Sequence, residues 1–433
     1  MSAPRSPLIA LTQAWQDLQQ TVRRLLADGP GPVVESMDSL EALGRVLAAD
    51  LVSGVAVPPL DNSAMDGYAV HEADLPALRQ AGTELPVAQR IAAGQVGQAL
   101  APGQCARIFT GAPVPAGAGA VVMQEHTERV EPIGHTPGEA GASVRFTHAV
   151  QPGQNIRRAG EDITAGQTVL RRGTRLTPAA LGVAASVGAA RLPVFVRPRV
   201  AVLTTGDELV MPGQPLPPGA IYNSNRHTLM GLVQAAGGVP QDLGVVPDRL
   251  EATRQALREA ATHSDLIITS GGVSVGEEDH LRAAVQAEGE LQFWALAIKP
   301  GKPCVFGHVR RPDGSCCLYM GLPGNPVASF VTFLVLVRPV LGLLAGEGWA
   351  LPRPLMLPAA FSWPRPDKRR EFLRARLNAQ GQVEIHPHQG SGVLMSAAWA
   401  EGLVDLAPEQ VVQAGDQVAW WPYSECLQPA PGA

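Results

Sequence analysis

Cysteine is scarce in this 433-residue chain. Only Cys105, Cys304, Cys316, Cys317 and Cys426 occur, with no CxxC spacing. An odd, scattered set argues against a disulfide framework or a cysteine-held zinc, and it fits a reducing cytoplasm. A basic surplus is missing too. Lys and Arg number 34 against 39 Asp and Glu, for a net charge of −5. That argues against a general nucleic-acid binder but leaves room for a local cationic pocket. The opening stretch MSAPRSPLIALTQAWQ lacks the apolar core of a signal peptide. The most apolar run, Val327–Val337 (VASFVTFLVLV), meets Arg338 and Pro339 at its end. It is too short to cross a bilayer, so a buried helix and no membrane partner are expected. What the chain has instead is 45% hydrophobic residues with abundant glycine and proline. Global disorder is therefore excluded, and the length sets about two to four domains.

Apolar spacing predicts the organisation. Leu11, Trp15, Leu18, Val22 and Leu25 mark one face of an amphipathic helix that stops at Asp28-Gly29-Pro30. A second helix is expected from Leu40 to Ala49, with Asp38 and Glu41 as a capping box. From Val55 to Val130, short apolar runs broken by Gly and Pro predict a β-rich domain. Residues 131–154 read as a loop or hairpin insert, and Pro178–Ala190 as another helix. Residues 197–346 alternate strand and helix, which implies a mostly parallel sheet covered on both faces. Short alternating strands after residue 351 predict a compact C-terminal β domain.

Ligands of an open α/β sheet bind beyond the carboxyl ends of its strands. Four unusual loops fall there. Thr204-Thr205-Gly206-Asp207-Glu208 follows an apolar strand; its acids complement a helix dipole or face a metal. The stretch from Thr269 to Asp279 carries Ser270, Gly271, Gly272, Ser274 and Gly276, a glycine-rich turn suited to phosphate. It is neither a Walker A loop nor GxGxxG. Lys299-Pro300-Gly301-Lys302-Pro303 brackets a rigid turn with two of the chain's few lysines, placed for an oxyanion or simply solvated. Gly321-Leu322-Pro323-Gly324-Asn325-Pro326 opens the apolar helix. Asp248 ends a strand, and with Asp207, Glu208 and Asp279 it gathers acids suited to a hard cation. Together these loops point to metal-assisted chemistry on a phosphorylated small molecule.

Outside that domain, PPLDNSAMDGYAV (58–70) reads as turn chemistry, with Asp66-Gly67 turning into Tyr68. Residues 153–162 mix arginines with acids, Arg107–Pro115 ends a strand in a proline turn, and 368–370 and 390–392 are anion-binding or solvated loops.

The motifs PPLDNSAMDGYAV, RIFTGAPVP, NIRRAGED, TTGDEL, TSGGVSVGEED, IKPGKP and LPGNP occur in this order. In that combination the chain resembles the molybdopterin molybdenumtransferase (MoeA) family, relatives of the E domains of gephyrin and the plant Cnx proteins. The resemblance implies a homodimer of four-domain subunits. These are an elongated helical domain (1–54 with 155–196), an inserted β-rich domain (55–154), a doubly wound α/β domain (197–348) and a β-barrel-like domain (349–433). It implies Mg²⁺-dependent insertion of molybdate into adenylylated molybdopterin with release of AMP, and working contact with a molybdopterin adenylyltransferase. It assigns catalytic acids to Asp61, Asp162, Glu208, Asp248 and Asp279, the last three as metal ligands. It assigns substrate contacts to Thr110, Arg157, Lys299 and Lys302, with the glycine loops (Thr205, Gly206, Ser270 to Gly276), Pro323 and Pro326 beside them. In the last domain the anion contacts are Arg369 or Arg370, with Ser391 or Ser396. The family site joins the α/β loops of one subunit to the second domain of its partner. Three positions depart from the pattern: Ala295 where relatives carry lysine, Gly119 where an acid is common, and Ala328 where serine is frequent. Two other readings are a scaffold that kept the fold without the chemistry, and a nucleotidyltransferase like the sister family that adenylylates molybdopterin.

Overall fold

A computed structural model describes residues 8–29, 31–130, 142–247, 249–271 and 280–427. The chain forms two compact units. One comprises Asp50–Arg171 and Pro178–Ala190; the other comprises Met1–Ala49, Arg172–Thr177 and Arg191–Ala433.

The smaller unit centres on a six-stranded sheet in the order 118–123, 67–71, 105–108, 84–91, 143–146, 127–130. Gly67 opens the second of these strands, and a Cβ there would lie 1.9 Å from the Val122 carbonyl oxygen. The Asp-Gly step is thus a close-approach point inside the sheet as well as a turn.

In the larger unit six strands lie in the order Val239–Val246, Arg199–Thr205, Leu266–Ser270, Cys316–Leu322, Pro303–Arg310, Gly289–Ala295. The first four are parallel, and Pro303–Arg310 runs against them. Register pairs Thr204 with Ser270 and Ser270 with Leu322. Three strands therefore end level, and the loops after them open on one edge. A second sheet carries the C-terminal strands, and the two-residue strand Ile298–Lys299 adds to it in parallel, Lys299 opposite Glu371. This stitch draws the lysine loop into the C-terminal domain.

The first helix spans Leu11–Asp28 and buries Leu11, Ala14, Leu18 and Val22. Two expectations change. Residues 40–49 do not form a helix. Only the turn Ser39–Glu41 is helical, with the Asp38 carboxylate accepting from the Leu40 N–H at 2.9 Å. Leu40 is 90% exposed and Leu43 53%, so that face has nothing to pack on, while Gly44 takes φ +72° and Leu47 N–H bonds to Thr174 O. Short helices need such packing to persist.

The apolar run also does not stop at Arg338-Pro339. One helical stretch, Pro326–Leu344, is long and apolar enough to cross a membrane, yet 94% of it is buried inside the protein. Its middle, Phe333–Val337, is a π-turn. Pro339 cannot donate to the Val335 carbonyl one turn back. The Trp15 indole N–H donates to that oxygen instead, at 2.7 Å. Arg338, 1% exposed in its side chain, bonds to Glu347 and to the Leu427 carbonyl.

Candidate active site

The level strand ends in the larger unit enclose a cavity of about 420 Å³. Thr205, Glu208, Asn225, Ser270, Gly271, Asn325 and Pro326 line it. Gly206 has φ +145°, and a Cβ there would fall 2.6 Å from a Glu208 carboxylate oxygen. The glycine thus gives Glu208 its place over the loop. Asn223 holds the strand end from below, donating to the Thr204 hydroxyl at 2.8 Å. Asn225 donates one N–H to Ser270 Oγ and the other to Gly324 O, each at 2.7 Å. Among the described residues, no histidine or cysteine lines the cavity.

A second cavity, about 570 Å³, shares Gly271, Gly324 and Asn325 with the first. Its walls include Lys299, Lys302, Pro323, Arg369, Gly390 and Ser391. The cations differ in commitment. Lys299 Nζ lies 3.0 Å from the buried Glu371 carboxylate and 3.3 Å from Asp367. Arg369 forks onto both Asp367 oxygens at 3.0 and 2.9 Å. That fork, first of all, holds the Asp367 carboxyl well below the usual range. Lys302 is exposed and has no ion-pair partner among the described residues. Ser391 O accepts from the Val327 N–H at the apolar helix's start, and its hydroxyl accepts from Asn325 at 3.1 Å. Ser396, by contrast, is fully buried and accepts from Arg374 Nε at 3.1 Å. It lies beneath the wall, and Ser391 is the serine at the surface of the cleft. Arg374 has only neutral acceptors (Ser396, Phe372 O and Gly390 O), and burial lowers its pKa to about 10.

In the smaller unit the segment 57–63 is a hub. Asn62 pairs with Arg157 and bridges to Pro113, Val57 bridges to Ile163, and Val114 N–H bonds to Asp61 O. Asp61, Thr110, Arg157 and Asp162 are therefore neighbours in the chain's weave. The Asp61 carboxylate accepts from Ala159 N–H at 2.8 Å and Arg158 at 2.6 Å. The Ala159 bond, helped by Arg158, keeps its pKa below the ordinary value against the opposing effect of burial. Asp66 accepts from both the N–H and the hydroxyl of Thr110, each at 2.8 Å. These two bonds lower its pKa. Arg107, only 7% exposed, donates to Gly67 O and Gln124 behind it.

Asp248, Gly272, Ser274, Gly276 and Asp279 lie outside the described residues. Among the described residues, no group of three or more His, Cys, Asp or Glu side chains is placed to hold a metal. Of the expected acids, Asp207 and Glu208 are described, both exposed, and Glu208 is the one that lines the cavity.

Family models match along the chain in three blocks. The MoeA N-terminal region (domain I and II) covers residues 9–188, a probable molybdopterin binding domain covers 201–342, and the MoeA C-terminal region (domain IV) covers 356–423. The molybdopterin molybdenumtransferase of Haemophilus influenzae is 38% identical over 418 residues, spanning 95% of this chain and 99% of that protein. The chain belongs to the molybdopterin molybdenumtransferase family, transferases of molybdenum cofactor biosynthesis. Molybdopterin molybdenumtransferase 2 of Mycobacterium tuberculosis H37Rv is 40% identical over 88% of this chain and 93% of that one. The crystal structure of the molybdopterin biosynthesis moeA protein from Pyrococcus horikoshii OT3 superposes with a TM-score of 0.77. It is 27% identical and covers 96% of this chain and 100% of that chain.

Within this family fold, the departures from the expected motifs have local explanations. A Cβ at Gly119 would fall 2.8 Å from Glu72 Cα, so an acid cannot sit there without a backbone shift. Ala328 lines the cleft, while the neighbouring Ser329 is buried with its hydroxyl unpartnered. Ala295 is buried in a strand opposite Pro303. Two site residues escaped the sequence reading. Asp66 looked like a turn residue, and only the 44-residue reach to Thr110 reveals its hold. Asn225 looked like an ordinary first-turn residue of a helix.

Proposed function

We propose that this chain transfers molybdate into adenylylated molybdopterin, releasing AMP and the finished cofactor, with Mg²⁺ as the metal. The carrying observation is the pair of adjoining cavities with different chemistry. The strand-end pocket offers hydroxyls, amides and glycine backbone, with no lysine or arginine among the described lining residues, which suits phosphate oxygens. The adjoining cleft offers Lys302, Lys299 and Arg369, which suits a doubly charged oxyanion. A ligand spanning the shared Gly271–Gly324 wall sets its phosphates in one and receives molybdate from the other.

The oxygen donors facing the strand-end pocket fit a hard cation. Glu208 would hold Mg²⁺ there, joined by Asp248 and Asp279 on the family pattern, and the ion would neutralise phosphate charge. Ser270 and Thr205 orient the phosphates, Lys302 attracts molybdate, and Lys299 fixes its loop against the C-terminal sheet. Asp61 and Thr110 of the second domain, with Arg157 and Asp162 of the segment that follows it, make up the share of the site contributed on the family pattern by the partner in a homodimer. Exposed apolar side chains at Val33, Val34, Leu40 and Leu43 support such an association. A molybdopterin adenylyltransferase supplies the substrate. Five free cysteines support a cytoplasmic setting.

The test mixes purified protein with adenylylated molybdopterin, Mg²⁺ and molybdate and follows AMP. Molybdate-dependent AMP release that Asp61→Asn abolishes is expected. No release from the wild type sinks the assignment. Sedimentation equilibrium checks the dimer.

A further inference from the structure

Asn225 stands in no motif that assigns it a role, yet its environment is unusual. It lies in the first turn of the helix Ser224–Ala235. Its two amide protons are both spent, one on Ser270 Oγ and one on Gly324 O. These acceptors belong to two other loops, one at a strand end and one before the apolar helix. The amide orientation is thereby fixed, because a flipped group would set its oxygen against the Gly324 carbonyl. The remaining atom, Oδ1, is buried and has no hydrogen-bond partner among the described residues. A cross-link selected only for stability has no need to strand an acceptor.

The effect on Ser270 matters most. Its oxygen already accepts from Asn225, and the protein acceptor recorded for its own proton is Pro323 O at a long 3.4 Å. That proton is free to turn to a stronger acceptor. Gly324 is the wall between the two cavities.

We propose, on the reading of this cavity as the phosphate site, that Asn225 is a positioning residue. By donating to Ser270 Oγ and Gly324 O, it directs the Ser270 hydroxyl proton at a ligand phosphate oxygen and holds the shared wall in register. Oδ1, without a partner among the described residues, is the acceptor that a donor group of the bound ligand would complete. An aspartate here keeps the size but removes both donors, so Ser270 must donate to it and loses its proton to the wrong partner.

The test is a double-mutant cycle on the full-length protein, with AMP plus Mg²⁺ as calorimetric probe. Asn225→Ala, the near-isosteric Asn225→Asp, Ser270→Ala and the two doubles are compared with wild type. Each Asn225 variant is expected to weaken AMP about tenfold. In the Ser270→Ala background the same change should cost less than twofold. KM should rise for adenylylated molybdopterin with little change in kcat, and melting temperatures should stay close to wild type. Wild-type AMP affinity in Asn225→Asp, or effects that add fully with Ser270→Ala, overturn the proposal while leaving the reaction assignment standing. AMP binding that depends on Asn225 in a protein that releases no AMP from adenylylated molybdopterin upholds the positioning role and removes the reaction instead.

Discussion

The two adjoining cavities of the larger unit solve opposite electrostatic problems. Among the described residues, the strand-end pocket gathers neutral donors around one carboxylate, Glu208, with no basic residue in its lining. The cleft beside it gathers three cations but spends two of them on Asp367 and Glu371. Lysines counted along a motif therefore overstate the positive charge on offer. Lys302 is the uncommitted one, and Lys299 is a strut between the α/β loop and the C-terminal sheet.

The sharpest way to break this contrast is Glu208→Gln. It removes the pocket's one charge among the described residues, and turnover should fall about 100-fold with an unchanged melting temperature. Single-turnover AMP release measures it. Next come the two lysines. Lys299→Met removes the ion-pair partner of the Glu371 carboxylate, whose side chain is only 2% exposed and keeps N–H bonds from Trp363 and Asp367, and should cost about 2 kcal/mol of stability by urea denaturation. Lys302→Met should leave stability alone and weaken molybdate binding about tenfold in equilibrium dialysis. Equal behaviour of the two variants would erase the distinction between strut and free cation.

A smaller effect separates the acids of the second domain. Asp66→Asn keeps the single oxygen that accepts both Thr110 bonds but takes away the charge, so KM should rise a few-fold, about 1 kcal/mol. Asp61→Asn should act on turnover. The smallest effect is one of pH. The folded-state pKa of Asp367 lies below its ordinary value of 3.8. Its contribution to stability is therefore complete above that value and fades as pH falls toward the depressed one. The melting-temperature gap between wild type and Asp367→Asn should hold at neutral pH and close progressively below about pH 4.

Much of this was legible in the sequence because strand-end glycine loops are local signals. TTGDE, TSGG and LPGNP each follow an apolar run, and the sheet's parallel order brings them to one edge without further information. The Leu40–Ala49 helix failed for a reason no local pattern carries: Leu40 and Leu43 meet solvent, whereas Val46 and Leu47 are buried on extended chain that pairs with residues 174 and 193. The commitment of Lys299 was hidden in the same way. Its partners lie some seventy residues on, in a sheet whose pairing with Ile298–Lys299 no spacing rule announces. Asn225 was hidden by being chemically ordinary. Its meaning comes from two acceptors in two other loops. Of the site loops, TTGDE and LPGNP are seen whole, whereas the run from Gly272 to Asp279 lies outside the described residues.

The proline at position 339 has a consequence for how the protein can be cut. The carbonyl it leaves unpaired is served by Trp15, from a helix more than three hundred residues earlier in the chain. That helix also covers Val335 and its neighbours with Leu11, Leu18 and Val22. A chain started after residue 28 would bare this apolar seam together with an orphaned backbone oxygen at its centre. The α/β domain and its two cavities are therefore not a separable cassette: the first helix is their lid stone, and expression boundaries that discard it should yield protein that aggregates.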